Sequence, residues 1–217
     1  MILSEQYRPH TWAEVAGQAG LLEQLSNHRT HGGLCGRAYW ICGPSGTGKT
    51  TIARLIAAEV AEPWAIEELD AADLSMDATT GVCQRWEREA QGRPIGGKAW
   101  AKIVNEAGSL RKPVIKRLLT LLEVEAVQRN MTIVFTTTPT AQQRLFDGDC
   151  EMPAFTSRVD VLQTEPNLLA FAARARAVAH AIGQDGKTTE AYYILAVRCE
   201  GNLREMLRRV EKRQVAG

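Results

Sequence analysis

The sequence lacks an excess of charge of either sign. Its 217 residues contain 26 lysines and arginines against 25 aspartates and glutamates, a formal net charge of +1. No global field therefore draws the protein to nucleic acid or membrane, and any DNA contact must come from a local basic patch. The sequence also has no run of 18 apolar residues, and MILSEQYRPH at its start contains no apolar stretch of signal-peptide length. We expect a soluble protein that is not secreted and has no membrane partner.

Cysteines at the spacing of a metal site or a disulfide framework are also missing. The five cysteines are Cys35, Cys42, Cys83, Cys150 and Cys199. They are scattered, they form no CxxC pair, and no histidine stands near them at ligand spacing. This pattern argues against a zinc site and against disulfide bridges. We expect reduced thiols and a cytoplasmic location.

Strands and helices are predicted to alternate up to about residue 165. The apolar run AYWICG at residues 38–43 predicts a strand, and residues 49–61 carry apolar side chains at helical spacing. Further strands are predicted near residues 65–69, at 99–104 and at 131–138, with helices within 77–90 and over 113–127. Such alternation is typical of an α/β fold, in which a parallel sheet is covered by helices on both faces.

The β-strand signals stop after Pro166. The remaining segments have helical patterns, and they are NLLAFAARARAVAHAIG, TTEAYYILAVRCEG and NLREMLRRVEKRQ. Two of them end at a glycine, which is a common helix stop. The sequence therefore predicts an α/β domain over residues 1–164 and a small all-α domain over residues 165–217.

The stretch GPSGTGKT at residues 43–50 matches G-x-x-x-x-G-K-[ST] and lies between a predicted strand and a predicted helix. Glycines let the backbone amides of such a loop wrap phosphate oxygens, and the helix N-terminus adds partial positive charge. Lys49 would contact the β and γ phosphates, and the Thr50 hydroxyl would coordinate magnesium. The predicted cofactors are ATP and Mg²⁺; the alternative is a chance glycine-rich turn. The expected nucleotide contacts here are Gly43, Pro44, Ser45, Gly46, Thr47, Gly48, Lys49, Thr50 and Thr51.

Asn105 and Glu106 stand where a P-loop ATPase is expected to carry an acidic pair. The first acid usually holds Mg²⁺ through water, and the second orients the attacking water. The amide oxygen of Asn105 can still accept a hydrogen bond from a metal-bound water, but it carries no negative charge. Losing one charge-assisted hydrogen bond costs about 1.5–3 kcal/mol, or about 10- to 150-fold in Mg²⁺-dependent steps. Because Glu106 is present, we expect a slow ATPase. One alternative is an inactive ATPase. The other is that Asn105 and Glu106 merely end a strand and have no role in catalysis.

Other segments follow in a fixed order along the chain. They are SEQYRPHTWAEVAGQ (4–18), ELDAADLSMD (68–77), AKIVNEAGSLRKPVIKRLLTLLE (101–123), TIVFTTTP (132–139), PAFTSRV (153–159) and GNLREMLRRVE (201–211). Together with the phosphate loop they closely resemble the clamp-loader ATPases of the AAA+ class, namely replication factor C small subunits and the bacterial DNA polymerase III gamma/tau subunit. The resemblance implies a P-loop domain with a parallel five-stranded sheet, followed by a helical lid.

The resemblance also implies roles for single residues. Thr138, or else Thr137, would be the sensor 1 residue that bonds the γ-phosphate or the attacking water, although both could be ordinary strand-end residues. Arg204 would be sensor 2 on the lid, with a plain surface arginine as the alternative. Arg158 would act in trans as an arginine finger, which requires an oligomer, or would be solvated at a strand start.

The N-terminal part of the resemblance implies contacts with the base of the nucleotide. Tyr7, Arg8 and Pro9 would lie near the adenine, with Val15 and Ala16 beside it. The alternative for this segment is a structural N-terminal clasp without a direct role in binding.

A basic cluster at the start of the helix after Asn105 is the candidate DNA contact. It consists of Arg111, Lys112, Lys116 and Arg117. Basic side chains and helix-start amides can bind phosphates without reading sequence. The alternative is that Lys116 and Arg117 simply face solvent.

The resemblance implies a subunit of a homo- or hetero-oligomeric ring that uses ATP to load a sliding clamp onto primer–template DNA. In addition to Asn105, the sequence departs from the family pattern in two ways. Val159 replaces a cysteine of the family, and the chain ends at Gly217, before the family's helical collar. We expect either a ring formed without a collar or a fragment of a longer chain. The alternative functions are a nucleotide-binding, non-hydrolysing structural subunit and an AAA+ remodeller of DNA in recombination or repair.

Overall fold

A computed structural model describes residues 2–74, 76–146, 151–184 and 186–215. Its centre is a parallel sheet with the strand order β2-β3-β4-β1-β5 in the described part of the chain. The strands are β1 (Ala38–Cys42), β2 (Ile66–Asp70), β3 (Trp100–Asn105), β4 (Met131–Thr137) and β5 (Asp160–Gln163). The predicted α/β class with a parallel five-stranded sheet is confirmed.

Helices cover the sheet and continue beyond it. The first group is α1 (Leu3–Gln6), α2 (Ala19–Thr30), α3 (Lys49–Val60), α4 (Met76–Ala90), α5 (Lys112–Leu122), α6 (Glu125–Asn130), α7 (Pro139–Phe146) and α8 (Glu151–Thr156). The second group is α9 (Leu168–Ala181), α10 (Thr189–Arg198) and α11 (Leu203–Glu211). No described helix has the length and apolar character needed to span a bilayer.

Hydrophobic cores form on both faces of the sheet because side chains alternate along its strands. On β1, Trp40 packs with residues of α4 and α5 on one face, where it meets the rings of Phe135 and Phe155. Tyr39 and Ile41 point to the other face and pack with residues of α2 and α3. All residues of β1 and β4 are buried. The packing of these central strands therefore determines the position of the loops that follow them.

The C-terminal helices enclose a core of their own. Phe171 of α9, Tyr192 of α10 and Met206 of α11 are buried together, and Leu3 of α1 packs against them. A side-chain oxygen caps each of these three helices at its N-terminus: those of Asn167, Thr188 and Asn202, respectively. We call α9–α11 the lid. The predicted domain boundary near residue 165 falls between β5 and α9 and stays a prediction.

Several elements differ from the sequence-based expectations. The helix predicted over residues 113–127 is broken into α5 and α6, because Val124 is extended (φ −70°, ψ 119°) and turns Val127 into the same core as α5. The short helices α1, α7 and α8 and strand β5 were not individually predicted. Helix α2 was not predicted either, since only Leu21 and Leu25 of it are buried. Cys150 lies outside the described residues, and the other cysteines are free thiols.

Candidate nucleotide site

The phosphate loop connects the end of β1 to the start of α3. Gly46 and Gly48 have φ of 77° and 98°, a left-handed conformation that glycine adopts without strain. Lys49 opens α3, and its buried ammonium group donates to the carbonyl oxygens of Gly43 and Pro44, each at 2.8 Å. Burial lowers the pKa of Lys49, and the nearby Glu106 partly opposes that effect. The ammonium group of Lys49 thus directs its donors at the backbone of the loop.

Two glycines of the loop allow close packing that any side chain would block. A Cβ on Gly43 would lie 2.0 Å from Oγ1 of Thr164, which also shares a 2.7 Å hydrogen bond with Thr47 Oγ1. A Cβ on Gly46 would lie 1.9 Å from Oδ1 of Asn202, the N-cap residue of α11. The loop therefore touches both the end of β5 and the lid.

Asn105 ends β3 beside the first turn of α3. Its Oδ1 accepts hydrogen bonds from Oγ1 of Thr50 at 3.3 Å and of Thr136 at 3.0 Å. Its Nδ2 donates to Glu68 of β2 at 2.6 Å, and Glu68 also accepts from Nε of Arg54 at 2.8 Å. The predicted magnesium pair, Thr50 and Asn105, is thus in direct contact.

A pocket opens in front of the phosphate loop, and residues 45–51, Glu106 and Thr138 are among the residues that line it. Glu106 has φ of 52°, a left-handed conformation that is uncommon for a residue with a side chain. Thr138 follows β4 and lines the pocket, whereas Thr137 is fully buried. Of the two sensor 1 candidates, only Thr138 is therefore placed to contact a ligand.

The N-terminal segment and the lid close the pocket. The lining residues predicted from the sequence are Tyr7, Arg8, Pro9, Val15, Ala16 and Arg204, and the lid adds Phe171, Arg174, Leu203 and Leu207. Val15 packs against the sheet core and Ala16 against the lid core. The pocket therefore has an apolar side between the lid and the N-terminal segment, and a polar side at the phosphate loop.

The N-terminal segment is held by specific hydrogen bonds. Arg8 donates to Oγ1 of Thr51 at 3.0 Å, and Arg174 of α9 donates to the carbonyl oxygen of Tyr7 at 3.0 Å. Gln18 is buried, and its Nε2 donates to the carbonyl oxygens of Thr47 at 3.4 Å and Glu165 at 2.8 Å. Gln18 thus connects the loop to the segment between β5 and the lid.

Sequence reasoning missed Gln18, Asn202 and Glu68 as parts of the site. Each lies inside one of the motifs quoted above, but a single polar residue has no characteristic spacing that would predict a functional role. Their contacts are long-range, as with the 147 positions between Gln18 and Glu165. Only the fold brings these residues to the loop.

Arg158 lies outside this pocket, just before β5. Its Nε donates to Glu123 at 3.0 Å, and its Nη1 donates to the carbonyl oxygen of Ala154 at 2.5 Å. Its side chain is about one third exposed. The residue predicted to act in trans is thus remote from the nucleotide site of its own chain and accessible to another molecule.

The predicted DNA-contact residues divide into two groups. Arg111, Lys112 and Lys116 are exposed at the start of α5. Arg117 is half-buried, with Nη2 3.8 Å from a carboxylate oxygen of Glu87 on α4. The exposed group therefore forms the basic surface on this helix.

Residues 39–147 match the model of the AAA family, the ATPases associated with various cellular activities. This match covers half of the 217-residue chain. The chain belongs to the AAA family. Members of this family bind ATP with Mg²⁺, and AAA+ proteins generally assemble into rings. The matched range contains the phosphate loop, Asn105, Glu106 and Thr138, while the lid and the N-terminal segment lie outside it.

The AAA fold also appears in similar solved structures. RuvB of Thermotoga maritima, described as a Holliday junction branch migration motor, has a TM-score of 0.71 and 19% identity, covering 97% of this chain and 65% of that chain. A single-substitution variant of the same RuvB gives 0.70 and 18%, covering 95% and 65%. The chain thus spans about two thirds of the RuvB length, and likeness at this identity shows the fold alone. No curated protein sequence matches the chain.

The residues of this AAA site fit a magnesium nucleotide. Lys49 is a buried cation, and Gly48, where a Cβ would meet no atom within 4 Å apart from its chain neighbours, leaves room for phosphate oxygens beside it. The hydroxyl of Thr50 and the amide oxygen of Asn105 are hard oxygen donors, which Mg²⁺ prefers. Neither of these two donors carries a charge. The metal would therefore depend more on the charge of the phosphate oxygens than in a site with an aspartate.

Gly46→Ala should weaken nucleotide binding about tenfold or more. A left-handed conformation costs a residue with a Cβ about 1–2 kcal/mol, and the added carbon would collide with Asn202. Titration with a fluorescent ATP analogue would measure this loss. Gly81→Ala is the control, since a Cβ there meets no atom within 4 Å and should stabilise α4 by about 0.5–1 kcal/mol. Unchanged affinity in Gly46→Ala would contradict the role of this contact.

Proposed function

We propose that this chain is a slow but competent ATPase subunit of an AAA+ ring that acts on DNA. The observation that carries the proposal is the convergence of distant segments on one pocket. Lys49 and Thr50 come from the phosphate loop, Glu106 and Thr138 from strand ends, and Arg204 from the lid. A pocket assembled in this way supports phosphate-bond cleavage as well as nucleotide storage.

Each residue of the pocket has a distinct role in this proposal. The loop amides and Lys49 bind the β and γ phosphates, and Arg204 contacts the γ-phosphate from the lid. When bound, Mg²⁺ supplies positive charge to the phosphates. Thr50 would be its ligand, and Asn105 would accept a hydrogen bond from a metal-bound water. Glu106 and Thr138 orient the attacking water.

The amide at Asn105 is the reason for a slow rate. It can orient a water but cannot contribute the charge of a carboxylate, while most phosphate contacts are independent of it. Nucleotide binding should therefore be retained at cellular ATP levels, with hydrolysis as the weakened step. The second candidate is a subunit that keeps its nucleotide as a structural element, and Asn105 is the observation that favours it.

Lys49→Ala and Glu106→Gln should separate binding from cleavage. Lys49→Ala loses charge-assisted hydrogen bonds to phosphate, so nucleotide affinity should fall about 10- to 150-fold. Glu106→Gln should retain affinity but lose phosphate release by about 10²- to 10⁴-fold, because only the base function is removed. Calorimetric titration and a phosphate-release assay would measure the two effects. A wild-type protein that retains nucleotide without releasing phosphate would favour the structural subunit instead.

We further propose that Arg158 serves the nucleotide site of the neighbouring subunit. Its position before β5, outside its own pocket, suits a contact in trans. The pair with Glu123 holds the guanidinium in the isolated chain. A partly exposed pair of this kind is worth about 0–1 kcal/mol, so a phosphate can displace it.

Arg158→Ala should lower ATP hydrolysis in the assembled particle about 100-fold or more, without changing the nucleotide affinity of the single subunit. Hydrolysis measured across the concentration range in which the particle assembles would test this. Arg129→Ala, which removes another arginine paired with a glutamate, is the control and should leave the rate unchanged. The trans role is refuted if the isolated subunit and the assembled particle lose activity equally.

The DNA substrate divides the proposal into two branches. The ordered motifs from SEQYRPH to GNLREML favour loading of a sliding clamp onto primer–template DNA. The structural likeness to RuvB favours a recombination or repair remodeller. The basic surface of Arg111, Lys112 and Lys116 suits phosphate contacts in either branch. We place clamp loading first because its motifs extend over most of the chain.

Hydrolysis assays with two DNA structures would separate the branches. Clamp loading predicts stimulation by primer–template DNA together with a sliding clamp, whereas remodelling predicts stimulation by four-way junctions without a clamp. In either case, Arg111→Ala/Lys112→Ala should reduce the salt dependence of DNA binding by about two contacts, with Arg129→Ala as the control. A salt slope equal to that of the wild type would remove this surface from the DNA path.

A further inference from the structure

We propose that Glu68 is a positioning residue for the magnesium site, which it serves by orienting the side-chain amide of Asn105. The inference rests on the proposed ATPase function, since it concerns the same site. It explains how an amide can stand in a position that calls for an oxygen donor. Its basis is the hydrogen-bond geometry around Asn105.

The amide of Asn105 has two unlike ends, and only one of them is useful to a metal site. Its Oδ1 can accept a hydrogen bond from a metal-bound water, while its Nδ2 can only donate. The two hydroxyls beside Oδ1, from Thr50 and Thr136, do not fix the choice, because a hydroxyl can donate or accept. Something else must keep the oxygen directed at Thr50.

Glu68 makes that choice. A carboxylate accepts hydrogen bonds only, so the group that lies 2.6 Å from Oε1 of Glu68 must be the Nδ2 donor of Asn105. Because the amide is planar, this contact turns Oδ1 toward Thr50. Arg54 donates to both carboxylate oxygens of Glu68, at 2.8 and 3.0 Å, which holds the carboxylate in place.

Asp70 is the other acid of β2 near this point, and it is already engaged. It pairs in register with Asn105, but its Oδ1 caps the following turn by accepting from the backbone nitrogen of Ala72 at 3.0 Å. Glu68 stands two residues earlier on the same face of the strand, and its longer side chain reaches Asn105. The orienting role therefore belongs to Glu68.

A double-mutant cycle tests the proposal, because a carboxylate has two like oxygens and needs no orientation. In the wild-type background, Glu68→Ala should reduce the gain in nucleotide affinity produced by Mg²⁺ about tenfold, as expected for a lost hydrogen bond to a charged group. In the Asn105→Asp background Glu68 would face a second carboxylate, so Glu68→Ala should cost less than about twofold or even raise the Mg²⁺ effect by relieving that repulsion. The readout is the ratio of the dissociation constants of a slowly hydrolysed ATP analogue with EDTA and with excess Mg²⁺.

Glu62→Ala is the matched control. Glu62 precedes β2 at the opposite end of the strand and also pairs with a cation, Lys98, at 3.2 Å. Its side chain is 37% exposed, against 30% for Glu68. This variant should leave the Mg²⁺ effect unchanged in both backgrounds. Thermal unfolding without nucleotide and metal would show that each variant is folded.

The possible outcomes separate this inference from the ATPase proposal. An equal loss from Glu68→Ala in both backgrounds, or no loss in either, overturns the positioning role while the ATPase function stands. If Glu68→Ala does not fold, Glu68→Leu, which keeps more of the side-chain volume, replaces it. Failure of both to fold also overturns the proposal, since Glu68 would then serve the fold. A wild-type protein that binds no nucleotide with or without Mg²⁺ overturns both proposals.

Discussion

The buried ammonium group of Lys49 is the constraint on which the rest of this molecule depends. A cation removed from water costs several kcal/mol unless oxygen atoms surround it. Here the carbonyl oxygens of Gly43 and Pro44 surround it, and burial still lowers its pKa. The buried strand β1 and the buried face of α3 hold the loop in this shape, and a phosphate would supply the charge that the loop does not contain.

The same loop is the meeting point of the other parts of the chain. The lid reaches it through Asn202 against Gly46, and the N-terminal segment reaches it through Gln18. Gln18 also bonds the backbone of Glu165, between β5 and α9. We expect small changes in the loop to reach the lid, because close-packed contacts transmit displacement rather than absorb it. This arrangement suits a protein whose shape follows its nucleotide state.

Asn105 takes on a different meaning in its surroundings than it has in the sequence. In the sequence alone, it is an amide at a position where an acid is expected, and it indicates a weakened ATPase. In the structure its amide bridges β2, β4 and α3 through Glu68, Thr136 and Thr50. An amide can serve donors and acceptors at once, which a carboxylate cannot do. The amide is therefore accommodated by its neighbours.

The sequence by itself determined the phosphate loop, the central strands and the helical character of the lid, because these depend on local periodicity and on glycine spacing. It did not determine α2 or the break before α6, where burial follows from packing on distant elements. It also left Thr137 and Thr138 as alternatives, and only the latter lines the pocket. Tertiary structure decided which side chains share the pocket, and it paired Arg158 with Glu123. Such contacts join residues far apart in the chain, and no local pattern encodes them.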